Sequence, residues 1–176
     1  MAEEVIRSEN EIYYRYVERV ADVIADSEFK FFAEVVSNAN TAIPYARFLE
    51  RELGWLIHDV VITDVLTQSQ KHTLADRFEA LGLRGNLIFE TDTWKIEQAI
   101  TRNHPDYHGE LYFNADGPLF VLGSSFEKEF AAKRAASLLG VSYPLYHRAV
   151  LDRGYAGYRG GLHLLEDILS VLVAGK

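Results

Sequence analysis

The chain has no cysteine. Disulfides, thiol catalysis and thiolate-held zinc or iron–sulfur clusters are therefore excluded within these 176 residues. It also lacks an excess of basic residues. Lys and Arg number 18 against 26 Asp and Glu, a formal net charge of −8. A nucleic-acid surface needs clustered cations to displace counterions, and an anionic membrane needs the same, so neither partner is expected. No apolar run is long enough for a bilayer span. The opening "MAEEVIRSENE" has neither the apolar core of a signal peptide nor the Arg- and Ser-rich character of a transit peptide, and a cytoplasmic location is expected. Proline is sparse, at 4 residues.

What remains is an ordinary globular composition, 48% hydrophobic and 25% charged, of a length that suits one compact domain. No linker or low-complexity tract divides it, so residues 1–176 read as a single domain. Residues 11–25 place Ile12, Tyr16, Val20, Val23 and Ile24 on one helical stripe. Strands are expected at 29–37, 55–64, 86–91, 118–125 and 141–147. Helices are expected after each, with Gly54, Gly82 and Gly140 as stops. Residues 104–117 read as a loop, with a short edge strand around Leu111–Phe113. The last helix is expected from Gly161, carrying Leu165, Ile168, Leu169 and Leu172 on one face.

Strands alternating with helices predict an α/β domain, a flavodoxin/Rossmann-like three-layer fold with a parallel sheet of about five strands. Such sheets bind ligands outside the carboxyl ends of their strands. That directs attention to 37–41, 63–67, 91–93, 123–126 and 147–161.

Chemistry is thin in those segments. The first strand runs into "VVSNANTA" rather than G-x-G-x-x-G, so a pyrophosphate cradle is not expected. The glycines at 154, 157, 160 and 161 follow the last strand without a Lys-Ser/Thr pair, which argues against a Walker loop. "SNAN" at 37–40 and "GSS" at 123–125 could aim polar groups at an anion or simply cap helices. His147 reads as the end of a strand at the ligand edge, either a ligand or acid–base group or a hydrogen-bonded structural histidine. Of the 6 histidines, His104 and His108 are four apart, but Pro105 and Gly109 spoil a shared helical face, and a solvated loop is the better reading. No Ser/His/Asp triad can be assembled, Asp152 beside His147 being insufficient.

A set of ordered motifs goes further. "GVSYPLYHRAVLDRGYAGYRGGLHLLEDILSVLV", "FKFFAEVVSNANTAIPYARFLERELGW", "DTWKIEQAI" and "PLFVLGSSFEKEFAAKRAASLLGV" together resemble the C-terminal part of nitrogenase component 1-type oxidoreductases. The likeness runs over roughly residues 10–173, and "GYRGG" before a Leu-rich helix is like the β-type subunits. The resemblance implies the third Rossmann-like domain of a longer oxidoreductase subunit, not active alone. It implies no cofactor in the isolated domain and an iron–sulfur or iron–molybdenum-type cluster in the full-length protein. Its partners would be a homologous component 1 subunit and an ATP-dependent iron protein. The loop after the first strand, here Ser37, Asn38, Ala39 and Asn40, would face the cofactor, as would Ser124 and Ser125. Aligned without gaps from Gly140 to Gly160, His147 falls at the α chain's molybdenum-ligating position; against the β-type pattern the same place is no ligand. The alternative is a stand-alone flavodoxin-like binding or interaction domain without catalysis, self-associating through residues 11–25 and the terminal helix.

Overall fold

The computed structural model describes residues 2–26, 29–103, 118–150 and 153–174. They fall into two compact units, one holding the residues up to Phe29 and those from Val150 on, the other Lys30–Ala149. The earlier expectations for the loop at 104–117, its edge strand and the pair His104/His108 lie outside the described residues.

The larger unit is a five-stranded, all-parallel sheet. Its strands are β1 (Phe32–Ser37), β2 (Leu56–Ile62), β3 (Asn86–Phe89), β4 (Leu119–Gly123) and β5 (Ser137–Gly140), in the order β3-β2-β1-β4-β5. That is the Rossmann order rather than the flavodoxin order. The β1, β2 and β4 strands are near-continuous apolar runs because both faces are covered. Right-handed crossovers put α2 (Ala42–Arg51) and α3 (Gln68–Ala80) on one face, α4 (Thr93–Asn103) and α5 (Lys128–Lys133) on the other. On the α4/α5 side, Ile96, Ile100 and Phe130 pack with Val36, Val61 and Val121. Elsewhere in this unit Trp55 packs at a tilt against both Phe31 and Phe120, with centroids 4.9 and 5.1 Å away.

β1 and β2 slip register between Ala33 and Glu34, a bulge that pairs Glu34 with Asp59 and leaves His58 over. Gly85, at φ +96, lies against that bulge: a Cβ there would come within 2.6 Å of the Ile57 carbonyl oxygen. Only glycine permits this approach.

Two expected elements are corrected. Residues 126–140 do not form one helix. α5 ends at Lys133, Ala135 takes φ +50, and "SLLG" becomes β5, paired with β4 from Phe120–Ser137 to Gly123–Gly140. The alanine-rich context favours helix, but Leu138 and Leu139 on opposite faces of a strand bury better than on a surface helix. Residues 141–147 are consequently not a strand. They form a loop with a cis Tyr143–Pro144 bond, and His147 lies within it rather than at a strand end.

In the smaller unit, α1 (Ala2–Asp26) packs on α6 (Gly157–Ala174). α6 starts four residues earlier than expected, so Gly157, Gly160 and Gly161 are its opening turn rather than a loop. Gly160 sits against Tyr155, whose carbonyl carbon would be 2.3 Å from a Cβ. The glycine-rich stretch is thus a tight joint. It is clamped by Asp167, which accepts from Arg153 Nη1 at 2.5 Å and from Tyr155 Oη at 2.7 Å, while Arg153 Nη2 bonds Glu166 at 2.9 Å.

Candidate functional site

The strand order reverses between β1 and β4, so the switch point lies where Ser37 and Ser124 leave the sheet. The loop after β5 closes over it. Ser142 donates its N–H to Gly123 O at 3.1 Å and its hydroxyl to Val36 O at 3.2 Å, tying the ends of β4 and β1 together. Sequence reasoning missed Ser142, because its neighbours were read as a strand.

The expected site residues divide into two kinds. Ser37 and Ser124 are buried. Ser37 Oγ shares a hydrogen bond with Thr41 Oγ1 at 2.8 Å, and Ser37 O accepts Thr63 N at 3.0 Å. Asn38 and Asn40 lie in the loop that follows: Asn38 O accepts from Thr41 N and Ala42 N, and Asn38 Oδ1 from Asn40 N at 3.0 Å. Asn40 is exposed and Ser125 half-buried. Ser125 and His147 are brought together, Oγ to Nδ1, at 2.9 Å, and Tyr146 N donates to the same Oγ at 2.7 Å.

Backbone amides in the loops that lead into these helices are already bonded by the chain's own side chains. Asp64 Oδ2 accepts from Ala39 N at 2.6 Å, in the loop before α2. The α3 start carries a Thr67/Gln70 capping box. Glu90 Oε1 accepts from Thr91 N and Asp92 N at 2.9 and 3.1 Å, and Asp92 Oδ1 accepts from Trp94 N at 3.0 Å. The bonds from the Asp92 and Thr91 amides hold the Glu90 carboxyl below its ordinary range. Before α5, buried Glu127 accepts at Oε2 from Ser124 N at 2.6 Å and Ser124 Oγ at 2.7 Å. Gly123 makes this possible, since a Cβ there would be 2.8 Å from that oxygen. Each of these loops thus closes on the chain's own side chains, four of them carboxylates: Asp64, Glu90, Asp92 and Glu127.

Apolar side chains ring the same edge. Val65 after β2, Trp94 after β3, Phe126 after β4, and Tyr143 and Tyr146 after β5 are all strongly exposed, Val65 and Tyr143 to 91% and 90%. Five large apolar side chains at one sheet edge are unusual for a surface with no partner.

No group of three His, Asp or Glu side chains that could hold a metal occurs among the described residues. His147 is a single imidazole whose Nδ1 is engaged by Ser125 and whose Nε2 packs beside Gly140. These residues do not by themselves fit a resident metal or cluster.

Fold and edge define a Rossmann-like α/β domain whose switch point is sealed by its own side chains and rimmed with apolar groups. The model of the family described as "Nitrogenase component 1 type Oxidoreductase" matches residues 2–173, and the chain belongs to that family. No curated protein matches the sequence. A solved structure described as "Nitrogenase Cp1 at pH 6.5" has the same fold, with a TM-score of 0.68 at 16% identity. The match covers 95% of this chain and 33% of that one, so the chain spans about a third of the length of the structure it resembles. No helix among the described residues is long and apolar enough to cross a membrane.

Proposed function

We propose that this chain is the C-terminal, third domain of a longer nitrogenase component 1-type oxidoreductase subunit, and that its switch-point edge forms a wall of a metallocluster or substrate site and part of a subunit interface. The observation that carries this is the exposed rim of Val65, Trp94, Phe126, Tyr143 and Tyr146 beside the polar groups of Asn38, Asn40 and Ser125. An edge whose loop amides are bonded by its own carboxylates is poorly suited to a phosphate, and its apolar rim suits a protein surface. Family membership supports the same reading, as does the chain's one-third coverage of a nitrogenase chain.

On this reading the cluster, of iron–sulfur or iron–molybdenum type, is ligated by other parts of the full-length protein. Ser37 and Ser124 hold the loops in place, and Asn38, Asn40 and Ser125 face the partner or cofactor. His147 positions Ser125, in keeping with the β-type pattern. The partners are a homologous component 1 subunit and an ATP-dependent iron protein. The domain alone is not active.

The test is to place charge on the rim of the full-length protein, with Phe126→Asp and Tyr143→Asp. The reading expects loss of assembly with the sister subunit on size exclusion, with the variant still folded. Unchanged assembly would show that this edge is not an interface.

A further inference from the structure

Within the smaller unit, α1 and α6 enclose a groove of about 660 Å³. That lies in the range of small-molecule sites. Its floor is aliphatic: Ile12 and Val20 from α1, Leu162 and Leu169 from α6. Arg15 and Arg159 also line it, and both are exposed. Neither guanidinium has a hydrogen-bond or ion-pair partner among the described residues. The sole lining carboxylate, Glu166, is held by Arg153 at 2.9 Å. His163 completes the polar side, with Nδ1 3.3 Å from Gly154 O. That carbonyl can only accept, so the Nδ1 proton points away from the groove's occupant.

The charge here runs against the chain as a whole. A protein of net charge −8 gathers two guanidinium groups, Arg15 and Arg159, over one apolar floor. The first turn of α6, beside Arg159, carries no acidic residue, so the positive end of the helix dipole adds to the same potential. Arginine presents a planar fork suited to a carboxylate, sulfonate or phosphate. We propose that the groove between α1 and α6 binds an organic anion with an apolar body, the anionic head paired with Arg15 and Arg159 and the body laid on Ile12, Val20, Leu162 and Leu169. This proposal is independent of the function assigned to the sheet edge.

The test titrates the 176-residue chain with sodium decanoate and, separately, with 1-decanol, followed by calorimetry and amide NMR. Decanoate is expected to saturate at one per chain, to shift amides of α1 and α6 alone, and to bind about tenfold more tightly than decanol. The Arg15→Gln/Arg159→Gln double variant should bring decanoate down to the affinity of decanol, and Leu169→Trp should weaken both by filling the floor. Should the double variant fail to fold, Arg159→Gln alone carries the same comparison. Equal binding of the two ligands would make the groove an apolar seat for another protein segment and overturn the proposal. Absence of saturation, or shifts confined to the sheet edge, would overturn it as well.

Discussion

Asp59 donates its backbone N–H to Glu34 Oε2 at 3.1 Å across the adjoining strands β2 and β1, and both carboxylic side chains are completely buried. Asp59 Oδ1 is satisfied by Asn86 Nδ2 and Asn103 Nδ2, each at 2.9 Å. Glu34 Oε1 and Asp59 Oδ2 have no hydrogen-bond partner among the described residues. Burial first, and then the neighbouring Asp59, push the Glu34 carboxyl well above the ordinary glutamate range; the Asp59 amide and Arg134 oppose this more weakly.

The pH dependence follows from the direction of that shift. The folded protein holds a proton on Glu34 that the unfolded chain releases near its ordinary value, about 4.3. The stabilising contribution is therefore complete below about pH 4.3 and is lost as pH rises toward the folded value. Over that window stability should fall by up to about 1.4 kcal/mol per pH unit from this group. Urea unfolding at a series of pH values should show the slope in the native chain and a flatter profile in Glu34→Gln. An identical slope in the variant would mean that Glu34 is not the group responsible.

The bonded loop amides at Ala39 and Ser124 predict an insensitivity. Inorganic phosphate or ADP should not shift the amides of residues 37–41 or 123–126, because Asp64 and Glu127 already occupy them. Glu127→Ala removes two hydrogen bonds at a buried position and should cost roughly 2 kcal/mol. Saturable phosphate shifts in the native chain at those amides would contradict the arrangement.

Two glycines with positive φ should respond differently to alanine. Gly54, at φ +69 with nothing near a Cβ, bears only the backbone strain, and Gly54→Ala should cost about 1 kcal/mol. Gly85→Ala adds a collision with the Ile57 and His58 carbonyls at 2.6 and 2.7 Å, and should cost more than about 2 kcal/mol. Equal costs would mean that the bulge yields.

The joint before α6 should depend on Asp167. Removing the Tyr155 hydroxyl by Tyr155→Phe loses one bond, about 1 kcal/mol. Asp167→Ala takes away the acceptor for both Arg153 and Tyr155 and should cost roughly 2 kcal/mol, discounted because the Arg153 side chain is 38% exposed. Thermal unfolding of the two variants in that order checks the ranking.

What the sequence made legible, and what it hid, can be traced to particular residues. The β1, β2 and β4 strands were readable because buried parallel strands are continuous apolar runs, and Ile12, Tyr16 and Val20 because helical periodicity sets one face. β5 was misread because "AAKRAASLLG" has local helix preference, and only pairing with β4 makes Ser137–Gly140 a strand. That error moved His147 to a strand end it does not occupy. The opening turn of α6 was hidden by its glycines, whose reason is the tight approach of Tyr155 to Gly160. Asp64 and Ser142 could not be linked to the switch point from spacing, since Asp64 lies 25 residues from Ala39 and Ser142 lies 106 from Val36. The Glu34–Asp59 pair is likewise a product of strand register, which a sequence does not state.

The central claim is that this domain forms one wall of a cluster-bearing subunit. It is tested most directly by purifying the full-length native protein without oxygen and measuring its iron content and visible absorption. The account predicts bound iron and an iron–sulfur chromophore, with the ligating cysteines outside these residues. A full-length protein without iron would contradict it, and a binding or interaction domain without catalysis would then be the better description.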